Sequence, residues 1–181
     1  MATMKVGNWL IRISSVIALV FPPIGLVTAQ DATTTRQTEV VQRGSHIMPF
    51  DLEKTQHQFT ANPDGGVQRV IAKDPADQQQ IALIRRHLQD MAQKFQNGDF
   101  SGPAFIHGAD MPGLAVLQHA GPEQLSIIYA DEPAGASLSY LSRNQQIIAA
   151  VHDWFTAQLH DHGHHAMHHQ HMQHRHDPVS P

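Results

Sequence analysis

Residues 57–74 read HQFTANPDGGVQRVIAKD, and this stretch is the most informative about the fold. Two short strand-like runs flank Pro-Asp-Gly-Gly at 63–66, where glycine supplies the positive φ that tight hairpins need. The stretch therefore predicts a β-hairpin. Residues 75–100, PADQQQIALIRRHLQDMAQKFQNGDF, then carry apolar residues at helical spacing, with Pro and Asp suited to the start and Asn-Gly suited to the end. We expect a helix there.

The second half of the chain repeats this order. Residues 124–143, QLSIIYADEPAGASLSYLSR, predict two strands around Glu-Pro-Ala-Gly. Residues 144–163 predict a helix capped by Asn144 and stopped by Gly163. The connector between the repeats is rich in Pro and Gly and indicates a long loop with a short helix near Leu114. Two strand–strand–helix repeats predict an α+β fold, a small antiparallel sheet with helices on one face.

The first 29 residues have the layout of a secretory signal peptide. A short basic region precedes an apolar run, and Val27-Thr28-Ala29 supplies small residues at its end. Pro22-Pro23 interrupts the run, which is short for a bilayer span, although an uncleaved anchor is the alternative. We expect cleavage near Ala29, a periplasmic or secreted protein, and no stable membrane insertion after cleavage.

Three further segments follow the signal peptide. Residues 30–45 are polar without a sustained apolar period and predict a flexible leader. Residues 46–163 hold both repeats and predict a single α+β domain. Residues 164–181 are rich in His and Met, cannot bury a core, and predict a disordered tail.

Charge and cysteine content narrow the function. Lys5 and Arg12 are the only charged residues among the first 29, so cleavage leaves 10 basic against 16 acidic residues, a net charge of −6 with histidine neutral. An acidic product has no electrostatic footprint for nucleic acid. The chain has no cysteine, so it has no disulfide, and a soft-metal site must use Met and His.

The strongest chemical pattern is histidine beside methionine. His46, Met48 and His57 surround an apolar Pro-Phe-Asp-Leu segment, and His107 lies four residues before Met111 on a loop shaped by Gly and Pro. Imidazole with thioether favours copper, as Cu(I) or Cu(II), whereas zinc gains little from Met. We therefore predict a copper site from these five residues, although each could instead be a core or hydrogen-bonded residue.

Other histidines are weaker candidates. His87 and His152 occupy matching places in the two repeats, on apolar helix faces where a histidine is more often structural. A His-rich tract chelates metal through interchangeable imidazoles, so the tail could also hold zinc or nickel. Its candidates are His160, His162, His164, His165, His168, His169, His171, His174 and His176. Asp51, Glu53, Asp110 and Asp153 could accept hydrogen bonds from metal-bound imidazoles, or be solvated.

The motifs SHIMPFDLEKTQHQF (45–59) and IHGADMPGL (106–114), with the helices above, resemble a family of small secreted bacterial proteins. Members are often labelled aspartate carbamoyltransferase-like, and the resemblance spans about residues 45–163. It implies that the His46–Met48, His57, His107 and Met111 motifs are the family's recurring pattern. Carbamoyl transfer needs a phosphate site and a much larger two-domain chain, so we do not carry that activity over.

The sequence thus predicts an exported metal-binding protein for copper sequestration or delivery, in which the tail gathers ions. Its partners would be metal ions and a periplasmic metal-acceptor protein. One alternative is a metal-dependent periplasmic enzyme, although the chain has no phosphate loop, GxSxG elbow, HExxH pair or cysteine nucleophile. The other is an interaction module with structural histidines.

Overall fold

A computed structural model describes residues 29–168, apart from the side chain of His168. Residues 1–28 of the predicted signal peptide and residues 169–181 of the predicted tail lie outside this range. The helices are α1 (Ala29–Ile47), α2 (Gln78–Gln96), α3 (Ser101–His107), α4 (Leu114–His119) and α5 (Gln145–His162). The strands are β1 (Thr55–Asn62), β2 (Gly65–Ala72), β3 (Ser126–Glu132), β4 (Gly135–Leu141) and β5 (Ala166–His168). Short 3₁₀ turns span Leu52–Lys54 and Gly163–His165.

The predicted α+β fold with two strand–strand–helix repeats is confirmed. The hairpin β1–β2 precedes α2, and the hairpin β3–β4 precedes α5. The strand order is β3-β4-β2-β1-β5, so antiparallel pairing of β2 with β4 joins the two hairpins into one sheet. Gly65 has φ of +140°, and a Cβ there would lie 1.9 Å from the carbonyl oxygen of Tyr140, which explains why this turn needs glycine.

The helix ends follow the predicted capping residues. Asn144 accepts a hydrogen bond from the backbone N–H of Gln146 at 2.9 Å, and α5 ends at Gly163 with φ of +52°. The short helix expected near Leu114 is α4. None of the described helices is both long and apolar enough to cross a membrane.

The helices cover one face of the sheet and enclose the core there. Alternate residues of β2 and β4 are buried against α2 and α5. Trp154 of α5 is fully buried and makes edge contacts with the rings of Phe95, Phe100 and Tyr140. The Tyr140 hydroxyl donates to Gln68 Oε1 at 2.9 Å, so this buried hydroxyl is paired.

The predicted antiparallel sheet is mixed at one edge, where a parallel strand is added. After α5 and its 3₁₀ turn, the chain returns beside β1 and pairs with it in parallel, with Ala166 opposite His57. Residues 164–168, which we expected to begin a disordered tail, are therefore part of the folded structure. The physical reason is that the exposed edge of β1 offers backbone hydrogen bonds to any extended segment within reach.

The flexible leader predicted for residues 30–45 is also not what the structure has. These residues lie in α1, where the hydroxyls of Thr33, Thr34 and Thr35 bond to carbonyls four residues earlier. Val40 is fully buried, and Arg36 forms an ion pair with Asp161 of α5. The sequence of α1 has no sustained apolar period, so the helix depends on tertiary contacts such as these.

Candidate metal centre

A small cavity lies beneath the helices, between the sheet and the end of α1. Its volume is about 70 Å³. Three of the five ligands predicted with most weight line it, namely Met48, His57 and His107. Two of the weaker candidates, His87 and His162, line it as well. The structure therefore brings His and Met donors together from five separate segments of the chain.

Other predicted ligands lie elsewhere. His46 is exposed on the last turn of α1 and bonds through Nδ1 to the carbonyl of Gln42 at 2.8 Å. Met111 is buried in the hydrophobic core. His152 donates from Nε2 to the carbonyls of Asn62 and Gly65, at 3.0 and 2.8 Å, so it ties α5 to the β1–β2 turn. These three side chains serve packing or backbone hydrogen bonding in the structure.

The imidazoles of His57, His107 and His162 are in ring contact and almost fully buried. The ring centroids of His57 and His162 are 4.8 Å apart with planes nearly parallel, and those of His107 and His162 are 5.0 Å apart with planes nearly perpendicular. Within the described range, neither His57 nor His162 makes a side-chain hydrogen bond, which leaves their ring nitrogens free to bind another group.

His107 is held by a carboxylate. Its Nδ1 lies 2.9 Å from Oδ2 of Asp161, and Arg36 donates to both oxygens of the same carboxylate at 2.5 and 2.7 Å. Arg36 also donates to the backbone carbonyl of His107 at 3.0 Å, so it contacts both Asp161 and His107. A proton on Nδ1, donated to Asp161, would leave Nε2 as the nitrogen available to a metal, as in carboxylate–histidine–metal arrangements.

Burial lowers the pKa of three cavity imidazoles, those of His57, His87 and His162. Loss of solvation, with repulsion from neighbouring His87 and His107, lowers the pKa of His57 to about 3. Loss of solvation also lowers the pKa of His162 well below its usual value, and that of His87 to about 4. For Asp161, burial alone would raise the pKa, but hydrogen bonds from His107 and Arg36 outweigh it and lower the pKa. Neutral imidazole is the form that binds metal.

A second donor set lies at the surface beside the β1–β5 edge. Glu53, His164 and His165 each offer one ligand atom, and these atoms all lie within 4.8 Å of one another, so the set could hold a metal ion. Glu53 comes from the 3₁₀ turn at Leu52–Lys54, whose first backbone N–H groups are capped by Asp51. His164 and His165 come from the 3₁₀ turn that follows α5. Among the described residues no other His, Asp or Glu set of three is this close.

Two buried nitrogens near these sites have no partner among the described residues. Nδ1 of His165 is one, although Nε2 of the same ring lies 3.4 Å from Glu53 Oε1. The indole N–H of Trp154, which lines the cavity, is the other. An unpaired buried polar atom costs free energy, so the indole N–H would gain from a hydrogen-bond acceptor, and His165 Nδ1 from a water molecule.

Sequence reasoning missed Asp161 and Arg36, and it assigned Glu53 a supporting role. Asp161 lies between His160 and His162, and the histidine-rich context hid it; Arg36 lay in the supposed leader. Of the carboxylates singled out from the sequence, Asp153 is exposed and Asp51 caps a turn. In the tail, His160 is exposed beside Asp161, the His168 side chain is not described, and His169, His171, His174 and His176 lie outside the described residues.

Comparisons with protein-family models, with curated proteins and with solved structures found no match to this chain. Function must therefore be argued from the two donor sets themselves.

Proposed function

We propose that this is an exported metal-binding protein that takes up copper at Glu53, His164 and His165 for sequestration or delivery. The observation that carries the proposal is the convergence of one carboxylate and two imidazoles within 4.8 Å. The His165 ring supports it, because its Nε2 already lies 3.4 Å from Oε1 of Glu53.

The donor set favours Cu(II) over other divalent ions. Imidazole suits zinc, copper and nickel, but affinity at a given N/O site peaks at copper in the first-row series. The predicted signal peptide and the absence of cysteine fit this assignment, because an exported protein without thiolates must bind copper through His, Met and carboxylate. Zinc and nickel are the competing ions.

The histidine-rich tail is the proposed collector. It continues from β5, directly after the 3₁₀ turn that carries His164 and His165. Imidazoles tethered this closely raise the local concentration of ions beside the site without needing a fixed geometry. From there, copper would pass to the surface site and then to a periplasmic acceptor protein.

We expect Glu53→Gln with His164→Asn to weaken Cu(II) binding by at least about tenfold, because two of three ligands lose donor strength. Both side chains are exposed, so the fold should persist. The full chain is titrated with one equivalent of Cu(II) against a competing chelator, and the bound ion is followed by electron paramagnetic resonance.

The matched control is His119→Asn, an exposed histidine of α4 outside both donor sets. It should leave affinity and spectrum unchanged. Equal affinity and identical spectra for the wild type and the Glu53/His164 variant would place the first ion elsewhere and contradict the proposed site.

A further inference from the structure

The buried cavity holds donors of a different kind from the surface set. Imidazoles of His57, His107 and His162 line it together with the thioether of Met48, and none of these residues belongs to the surface set. Behind His107, the Asp161 carboxylate is already engaged by Arg36. Met91 and the exposed Lys94 and Asp99 also contribute to the lining. The donors offered by the three histidines and Met48 are nitrogen and sulfur atoms.

Two ring separations in the cavity are close to those around a shared ion, although the nitrogens of the three rings do not all lie within 4.8 Å of one another. With metal–nitrogen distances of about 2.0–2.1 Å, two imidazoles on one ion place their centroids roughly 5 Å apart. The His57–His162 and His107–His162 separations are 4.8 and 5.0 Å. Because the His57 and His162 planes are nearly parallel, one of these rings must turn about its Cβ–Cγ bond before both nitrogens point to one centre.

The size of the cavity excludes most other ligands. A volume of about 70 Å³ exceeds what one water needs but is far below the roughly 300–1,000 Å³ of organic ligand pockets. A single ion, with or without one small co-ligand, is the class of ligand that fits. A co-ligand with an acceptor atom would also suit the unpaired indole N–H of Trp154.

The charge of an ion and its preference for sulfur ligands determine which metal suits the cavity. Burying an ion among neutral ligands costs less for one positive charge than for two, since the cost of desolvation grows steeply with charge. Thioether sulfur prefers Cu(I), while zinc gains little from it. The carboxylate of Asp161, in contact with His107, partly compensates the positive charge of a bound ion. The positive charge of Arg36 reduces this compensation.

We propose that the cavity is a second metal site, selective for Cu(I), with His57, His107 and His162 as nitrogen ligands and Met48 as the sulfur ligand. This inference deepens the proposed function and rests on it for the identity of the metal. It assigns Asp161 and Arg36 to the positioning of His107. The surface set and the cavity would thus hold copper in its two oxidation states, each taken up as supplied.

The test is anaerobic titration of the full chain with Cu(I) against a chromophoric Cu(I) chelator. We expect the wild type to retain one Cu(I), and X-ray absorption to show nitrogen neighbours and one sulfur. His162→Asn should weaken retention by about 100-fold, and Asp161→Asn, which leaves the ligands in place, by about 10- to 100-fold. Equal retention by wild type and His162→Asn would overturn the proposal.

A methionine pair keeps the test decisive even where a histidine variant does not fold. Met48→Leu preserves volume and should remove the sulfur neighbour from the absorption spectrum. Met167→Leu is the matched control, because Met167 is exposed on β5 outside the cavity. A sulfur signal that persists in Met48→Leu, or that disappears in Met167→Leu, would contradict the assignment.

The two proposals fail separately. If the wild type does not retain Cu(I), while Glu53→Gln with His164→Asn still weakens Cu(II) binding, the cavity site is contradicted and the surface site stands. If the wild type retains Cu(I), while the double substitution does not affect Cu(II) binding, the surface site is contradicted and the cavity site stands.

Discussion

Lowering the pH from 6.5 to about 4 should remove most of the stability of the metal-free protein. The cause is the set of cavity histidines, which are held neutral by burial. In the unfolded chain each histidine takes up a proton near pH 6.5, whereas in the folded protein His57 does so near pH 3 and His87 near pH 4. His162 behaves in the same way.

The sign follows from proton counting. Between the folded and unfolded pKa values the unfolded state binds more protons, so the free energy of unfolding falls as the pH falls. Each histidine contributes about 1.4 kcal/mol per pH unit, so His57 and His87 together give roughly 3 kcal/mol per unit across their shared window, and His162 acts in the same direction. Since domains are stable by only about 5–15 kcal/mol, unfolding should occur within it. Above pH 6.5 the contribution is fully present.

Urea unfolding at a series of pH values checks this prediction. His57→Gln should reduce the slope of unfolding free energy against pH by about 1.4 kcal/mol per unit, because one suppressed proton is lost. The exposed control His119→Asn should keep the wild-type slope. A wild-type stability that is flat between pH 6.5 and 4 would show that these imidazoles are protonated in the folded state.

Removing the Arg36 guanidinium is expected to have the next largest effect. Arg36→Met should lower the free energy of unfolding by about 2–3 kcal/mol. The Asp161 side chain is only 2% exposed and would lose Arg36, keeping His107 at 2.9 Å and a long contact with His160 at 3.5 Å. We place the effect below the roughly 3–5 kcal/mol of fully buried pairs because Arg36 is 42% exposed and water screens the pair.

A second arginine of α1 provides the control. Arg43 pairs with Glu39 within the same helix at 3.1 Å, and Glu39 is 57% exposed, whereas Asp161 is only 2% exposed. Arg43→Met should therefore change the free energy of unfolding by less than about 0.5 kcal/mol. Denaturant unfolding of the two variants gives the comparison, and equal small effects would show that Arg36 does not hold α1 to α5.

Local patterns were sufficient for most of the fold. The two hairpins and the helices after them are marked by turn residues, caps such as Asn144, and apolar periods along one helix face. The helix α1 could not be found in this way, because Arg36 and Val40 hold it through residues far along the chain. The parallel strand β5 was missed because its three residues carry no strand pattern and depend on the edge of β1.

Some residues of the candidate sites could likewise be predicted from local sequence, and others depend on contacts between distant parts of the chain. Donor chemistry picked out Met48, His57 and His107, and the fold places all three at one cavity. Spacing alone could not separate Met111, which fills the core, from Met48. Nor could it bring Glu53 beside His165, since that contact arises from the return of the chain along β1.

Anomalous diffraction at the copper edge would show directly whether copper binds at Glu53, His164 and His165. The full chain would be crystallised with one equivalent of Cu(II), and the anomalous difference map would be calculated around Glu53, His164 and His165. We predict a peak about 2.0–2.2 Å from donor atoms of all three residues. A map with copper peaks only at other positions would contradict the proposed metal-binding function of this site.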